Sequence, residues 1–246
     1  MPEMDKFTGA TIMLGAVTET TSLKETVETL VRICDKDDIK EISVCYSPRT
    51  TKESMAVVNE LANADYPIKI VAFMQKRPFM LSVADSMDRA QGSHCILLAS
   101  DMALDLECVN DMIEGAKKSP DTIYSCSRWL PGCRMYGYGK IRYVLNFIAQ
   151  KFFRILYGAK LTDFTNSMQI APTNLYQSIK WESEGFPIFL EVVLKPLRLG
   201  YKFVEIPTNS YPRTDGKSSN SFSQTAAYLK TAIRIRFMKK EDILKK

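Results

Sequence analysis

The sequence predicts an α/β fold in which one mostly parallel sheet carries helices on both faces. Three observations point there. Short apolar runs alternate with helix-periodic segments four times over roughly the first hundred residues, with brief connections. The 246 residues supply ample core for one large domain, and no linker divides them. The composition, 46% apolar and 25% charged, is that of an ordinary globular chain, so disorder is not indicated.

Each element follows from local pattern. Ala10 to Ala16 reads as a strand, and Ser22 to Cys34 as a helix with Leu23, Val27, Leu30, Val31 and Cys34 at helical spacing. Ile39 to Cys45 is a second strand. Thr51 to Ala64 is a helix between Pro48 and Pro67, and Ile68 to Phe73 a third strand. Met80 to Gln91 is a helix closing at Gly92, followed by the buried strand Cys95 to Leu98. A helix from Leu106 to Lys118 leads to the strand Thr122 to Cys126. Trp129 to Gly139, rich in Gly, Pro and aromatics, suits a loop over a site. Lys140 to Tyr157 is an amphipathic helix. Thr162 to Ala171 is strand-like, Pro187 to Arg198 a helix stopping at Gly200, and Tyr201 to Ile206 the last strand. A polar loop, Tyr211 to Ser223, precedes a basic helix from Thr225 to Lys246.

The stretch from Cys95 to Glu107 is the candidate centre. An apolar strand running into Ala99-Ser100-Asp101 places a carboxylate at the sheet edge where ligands of open α/β sheets bind. Asp101 is therefore the first candidate for chemistry, the alternative being a cap on the next helix. The single histidine, His94, precedes a buried strand and reads as structural, which disfavours a Ser-His-Asp triad or a His-rich metal site. Six scattered cysteines without a CxxC pair suit reduced thiols in a cytoplasmic protein. No apolar run reaches the roughly 18 residues of a membrane span, and the start lacks the apolar core of a signal peptide.

The net charge of +5 is unevenly placed. Ile123 to Leu161 contains no Asp or Glu, yet holds Arg128, Arg134, Lys140, Arg142, Lys151, Arg154 and Lys160. Such a span calls for an anionic partner. A nucleic acid is not expected, because no reading motif accompanies the charge. The helix Lys140 to Tyr157 combines these cations with Ile141, Val144, Leu145, Ile148, Phe152, Ile155 and Leu156 on one broad face, a pattern that fits an anionic membrane surface or packing against the sheet.

The block Glu184 to Ser219 resembles the closing portion of family 2 glycosyltransferases, in particular the dolichol-phosphate mannosyltransferase-like branch. The resemblance rests on Glu191, Gly200-Tyr201, Glu205-Ile206-Pro207 and Arg213-Thr214-Asp215-Gly216-Lys217-Ser218. Upstream, Ser127-Arg128, Asp163 to Gln169 and the helix Gly139 to Gly158 resemble further segments of that branch. The amino-terminal half departs from it. Only Glu19 survives from the opening motif, Tyr46-Ser47-Pro48-Arg49 replaces an acidic turn, and Ala99-Ser100-Asp101 keeps only the second acid of an Asp-x-Asp motif, with Ala103 where a glutamine ligand follows.

The resemblance implies a single Rossmann-like GT-A domain over 1–246, with a nucleotide-binding half at about 8–126, an acceptor half at about 127–223 and a basic terminal helix at about 224–246. It implies a UDP- or GDP-linked sugar held at Glu19, Ala99, Ser100 and Asp101, with Mg²⁺ or Mn²⁺ on Asp101, Arg128 and Arg213 against the phosphates, Asp101, Arg128 and Arg213 as the catalytic residues, and Ser218 and Glu191 as further substrate-binding residues. A lipid phosphate is already an anion near neutral pH, so it needs cations rather than a base. A polyprenyl phosphate held by Lys140 and Arg142 is the expected acceptor, at the cytoplasmic face of a membrane and compatible with a membrane partner subunit. Glu191 could orient the sugar, act as base for a glycan hydroxyl in cell-surface polysaccharide synthesis, or pair with an arginine. A degenerate, non-catalytic binding subunit is the remaining alternative.

Overall fold

The computed structural model of the protein describes residues 6–215 and 223–245. The alternation predicted for the first half is present: β1 (Ala10–Ala16), α1 (Thr21–Ile33), β2 (Ile39–Tyr46), α2 (Lys52–Asn63), β3 (Ile70–Met74), a 3-10 turn (Phe79–Leu81) running into α3 (Ser82–Arg89), and β4 (His94–Leu97). Then follow α4 (Cys108–Lys118), β5 (Thr122–Ser127), α5 (Lys140–Tyr157), β6 (Gln169–Pro172), α6 (Thr173–Ser178), α7 (Ile188–Leu199), β7 (Lys202–Pro207), α8 (Ser223–Phe237) and α9 (Lys240–Ile243). Gly158 and Gly200 end α5 and α7 in the left-handed conformation, which a glycine adopts without steric cost.

The strands form one seven-stranded sheet in the order β3-β2-β1-β4-β6-β5-β7. β1 runs parallel to β2 and β4, β2 to β3, and β5 to β7, whereas β6 lies antiparallel between β4 and β5. All the parallel strands therefore end at the same edge. Successive side chains point to opposite faces, so Ile12, Leu14, Ile96 and Leu98 join one core beneath α1 and α4, and Met13, Cys95 and Leu97 join a second with Phe153, Tyr176 and Val192. Burial on both faces is why these strands read as unbroken apolar runs.

Two expectations change in the folded chain, and one unexpected element appears. Of the strand-like stretch Thr162 to Ala171, only residues from Gln169 pair in the sheet. The backbone N–H groups of Thr162 and Asp163 donate to Glu205, Phe164 to Gln150 Oε1 and Met168 to Asn166, so side chains replace the ladder. The terminal helix is two helices, because Arg198 binds the carbonyl of Met238 and the chain beyond turns to lie against Ile179 and Lys180. α6 is a short helix that local periodicity does not announce.

His94 is structural: it is buried, its Nε2 lies 2.8 Å from the Pro120 carbonyl oxygen, and burial pushes its pKa below the ordinary value. The six cysteines are free thiols.

Gly92 fixes how α3 returns to the sheet, since its backbone N–H donates to Thr11 Oγ1 at 2.9 Å. A Cβ there would stand 2.6 Å from Thr11 N and 2.7 Å from the Gly9 carbonyl oxygen, both backbone atoms that cannot swing away. Gly92→Ala is expected to destabilise the fold by about 1–3 kcal/mol, read as a lower urea midpoint at unchanged slope.

Candidate functional site

The strand order reverses between β1 and β4, and in open α/β sheets the crevice beyond such a reversal is where ligands bind. The β1 side of this crevice is the turn after Ala16. Glu19 folds back there, its carboxylate accepting the N–H groups of Val17 at 2.8 Å and Thr18 at 2.9 Å. The β4 side is Ala99-Ser100-Asp101. Ser100 Oγ donates to the Gly15 carbonyl and ties the two strand ends together, Ala99 offers only a methyl group, and Asp101 is buried with Oδ1 accepting from Ala103 N at 3.2 Å. The next residue, Met102, sits at φ 54, the left-handed region that costs a non-glycine residue about 1–2 kcal/mol.

Hydrogen bonds on either side hold this turn. The segment Asn209–Tyr211, just past β7, lies between the loop after β4 and the loop after β5. Tyr211 N donates to the Ala103 carbonyl, Ser210 N to that of Arg134, and Tyr136 N to that of Ser210. Asp105 Oδ2 accepts from the backbone and side-chain nitrogens of Asn209 at 2.8 and 2.9 Å, and the Tyr136 and Tyr211 rings stack with centroids 5.3 Å apart. This segment delivers Arg213 to the crevice, where its Nε lies 2.9 Å from Asp101 Oδ2.

Two residues further on, Asp215 accepts from Thr20 N and Oγ1, each at 3.0 Å, and from Ser22 N and Oγ at the start of α1. Burial opposes its ionisation, but these donors together hold its carboxyl below the ordinary value. Thr20 makes no side-chain cap of its own, so an acid almost two hundred residues away satisfies the helix end. Nothing local in the sequence links Asp215 to Thr20, although it lies within the Arg213 to Ser218 motif.

Arg128, expected to face phosphate, is instead the partner of a buried acid. Its Nε and Nη2 donate to Asp163 Oδ2 and Oδ1 at 2.7 and 2.9 Å, and Nη2 also reaches Thr165 Oγ1. A carboxylate with no exposed side chain needs such a fork, and Arg128 satisfies it before any ligand arrives. The structure thus brings Asp101 and Arg213 together and commits Arg128 elsewhere. Ser218 lies outside the described residues.

Glu191 also differs from expectation. It is fully buried on α7, pairs with Lys195 one turn on, and accepts the N–H groups of Glu182 and Ser183. Its partner is a lysine rather than an arginine, and both carboxylate oxygens are occupied. This removes it as a general base for a hydroxyl.

The Asp163 cluster also seats α5. Gln150 and Phe153 are its buried residues. Gln150 Nε2 donates to Thr165 Oγ1 at 2.8 Å and its Oε1 accepts from Phe164 N at 2.7 Å, while Asn146 Oδ1 accepts from Gln150 and Asn146 Nδ2 donates to Tyr138 Oη. At about 100° per residue, Ile141, Val144, Leu145, Ile148, Phe152 and Ile155 share an arc about 100° wide. Every one of them is exposed, from 37% at Phe152 to 83% at Ile155. The helix is mounted by a mixed face, on which Gln150 lies beside Phe153, Ala149, Leu156 and Tyr157 against the core, so Leu156 leaves the predicted apolar face and the remaining stripe points outward. Lys140 and Lys151 border one side of that stripe and Arg142 the other, all exposed, with the Arg142 guanidinium over the Tyr138 ring.

No family model matches the chain. Among solved structures, it is similar to glucosyl-3-phosphoglycerate synthase from Mycobacterium tuberculosis in complex with Mn²⁺, UDP and phosphoglyceric acid, with a TM-score of 0.70 at 11% identity over 94% of this chain and 79% of that one. The same synthase with phosphoglyceric acid alone gives 0.71 at 12% identity over 94% and 81%. A mycobacterial protein described only as such gives 0.67 at 14% identity over 95% and 76%. The chain has the GT-A-like Rossmann fold of these proteins.

The donor set around Asp101 does not fit a resident divalent cation. Hard cations take several oxygen ligands. Here Ala99 and Ala103 supply none, the lone carboxylate already holds Arg213, and among the described residues no three His, Cys, Asp or Glu side chains form a metal-ligating group.

Two outcomes follow. Burial opposes ionisation of Asp163, but Arg128 holds its carboxyl below the ordinary 3.8, so the stability it contributes is complete above that pH and is lost as pH falls through the lowered value. Urea midpoints of the wild type are expected to fall in that acid window, and Asp163→Asn paired with Arg128→Met to flatten this leg of the profile. Lys195→Met, which strands the Glu191 carboxylate, is expected to cost about 3–5 kcal/mol by equilibrium unfolding.

Proposed function

We propose that the protein is an inverting glycosyltransferase that moves a sugar from a nucleotide-diphospho-sugar to a polyprenyl phosphate at the cytoplasmic surface of a membrane. The outward apolar stripe of α5, bordered by cations, carries this reading: a greasy, phosphorylated acceptor needs an apolar surface and positive charge together. The GT-A-like fold supports the donor, since a structural relative holds UDP in a complex. That relative's complexes also contain phosphoglyceric acid, a phosphorylated compound.

The chemistry follows from the residues available. A phosphate oxygen of the acceptor attacks the anomeric carbon, the bond to the diphosphate breaks, and its electron pair leaves on the nucleoside diphosphate. No proton has to be taken from the nucleophile, which agrees with a site where Glu191 is unavailable as base. Lys140 and Arg142, which flank the apolar stripe from opposite sides at the start of α5, are the cations we assign to the lipid phosphate, whichever side it approaches, and Arg213 faces the donor diphosphate across the Asp101 crevice. Near an anionic leaflet each basic side chain adds about 1 kcal/mol of attraction, so α5 sits best on the cytoplasmic leaflet, where a membrane partner subunit could share the acceptor.

Incubation with UDP- and GDP-sugars and vesicles containing polyprenyl phosphate is expected to yield an extractable lipid-linked sugar. A folded protein that yields none with any donor would sink the reading and favour a non-catalytic binding subunit. Ile148 and Ile155 are 57% and 83% exposed, so replacing both with Glu is expected to leave the melting temperature unchanged. Burying each in lipid contributes about 1.5 kcal/mol or more, so co-sedimentation with anionic vesicles should weaken by at least about tenfold per residue.

A further inference from the structure

We infer that Arg213 stands in for a divalent cation at the donor diphosphate, with Asp101 as the residue that positions it. This inference rests on the donor reading above and makes it more specific. Three features of the crevice lead to it. The carboxylate that could hold a metal is alone, because Ala99 supplies only a methyl group where a second acid would stand. That carboxylate is ion-paired with a guanidinium, Arg213 Nε to Asp101 Oδ2 at 2.9 Å. The segment bearing the guanidinium is pinned on both flanks, by Tyr211 N on the Ala103 carbonyl before it and by Asp215 on Thr20 and Ser22 after it.

A cation fixed in this way is part of the protein and needs no recruitment. With 39% of its side chain exposed and one nitrogen on Asp101, Arg213 can turn its outer edge to an anion, and a guanidinium fork matches two phosphate oxygens. A dication on one carboxylate would leave a net positive charge, whereas the Asp101–Arg213 pair is neutral. Arg134 is the candidate for the further charge: it is exposed, and its backbone is hydrogen-bonded to Asn209 and Ser210 at the root of the same segment.

Calorimetric titration of UDP and GDP into the full-length protein, in buffer with EDTA and in buffer with MnCl₂, tests this. One nucleotide is expected to bind with affinities that agree within about threefold between the buffers. Arg213→Ala should weaken that binding by about tenfold or more in EDTA, with smaller losses for Arg213→Lys and Arg134→Ala, each variant checked for a native circular dichroism spectrum. The electron-spin-resonance signal of free Mn²⁺ should fall no further with protein and nucleotide together than with nucleotide alone. Binding that Mn²⁺ tightens by about tenfold or more, or a protein-dependent loss of the Mn²⁺ signal that Asp101→Asn abolishes, overturns the inference and leaves the donor reading standing. Absence of binding by either nucleotide in both buffers removes the donor reading and the inference together.

Discussion

The buried carboxylate of Asp163 is the contact on which the functional half of the molecule depends. It receives the Arg128 fork from the end of β5, shares Thr165 and Gln150 with α5, and has its own backbone N–H held by Glu205 of β7. A charge with no exposed surface is tolerated only when donors surround it. Satisfying it fixes the strand end, the loop before β6 and the seat of α5 together. Because Gln150 is among the donors and Phe153 is buried beside it, α5 is held by that side, and the stripe from Ile141 to Ile155 is left facing solvent. The apolar stripe on the outside is the observation on which the proposal of a lipid-borne acceptor rests.

A second set of constraints gathers the Asp101 crevice. The antiparallel insertion of β6 lets β4 and β5 keep a common direction, so the ends of β1, β4, β5 and β7 all open onto one edge. The segment after β7 then crosses that edge, stitched to Ala103 on one side and Arg134 on the other. Backbone hydrogen bonds of this kind tolerate a left-handed Met102 because neighbours on both sides determine its position. They carry Arg213 onto Asp101 and Asp215 onto the first turn of α1. The crevice is thereby lined by groups already paired with one another, and the outer edge of Arg213 is left exposed beyond its contact with Asp101.

Low sequence identity and a shared fold have a common physical origin here. Both faces of the sheet are buried, so many apolar side chains of suitable size preserve the architecture. The residues at the carboxyl edge are free to change with the ligand, and Ala99 and Tyr46-Ser47, where the resemblance to family 2 glycosyltransferases would place acids, lie at that edge. A fold can therefore persist while its cation, its acceptor and its base recognition are rebuilt.

The sequence by itself determined the α/β class, the alternation through β5, the placement of Asp101 at a strand end, the structural role of His94 and the amphipathic character of α5. Each of these is encoded in local periodicity or in one strand running into one acid, and both are legible without knowing what lies nearby. Only the tertiary structure decided which way α5 faces, that Arg128 belongs to Asp163, that Glu191 belongs to Lys195, and that Arg213 and Asp215 close over the crevice. Those pairings join residues far apart in the chain or select among equivalent charges. A buried ion takes the partner that the packing brings to it, and packing is a property of the whole fold rather than of any window of sequence.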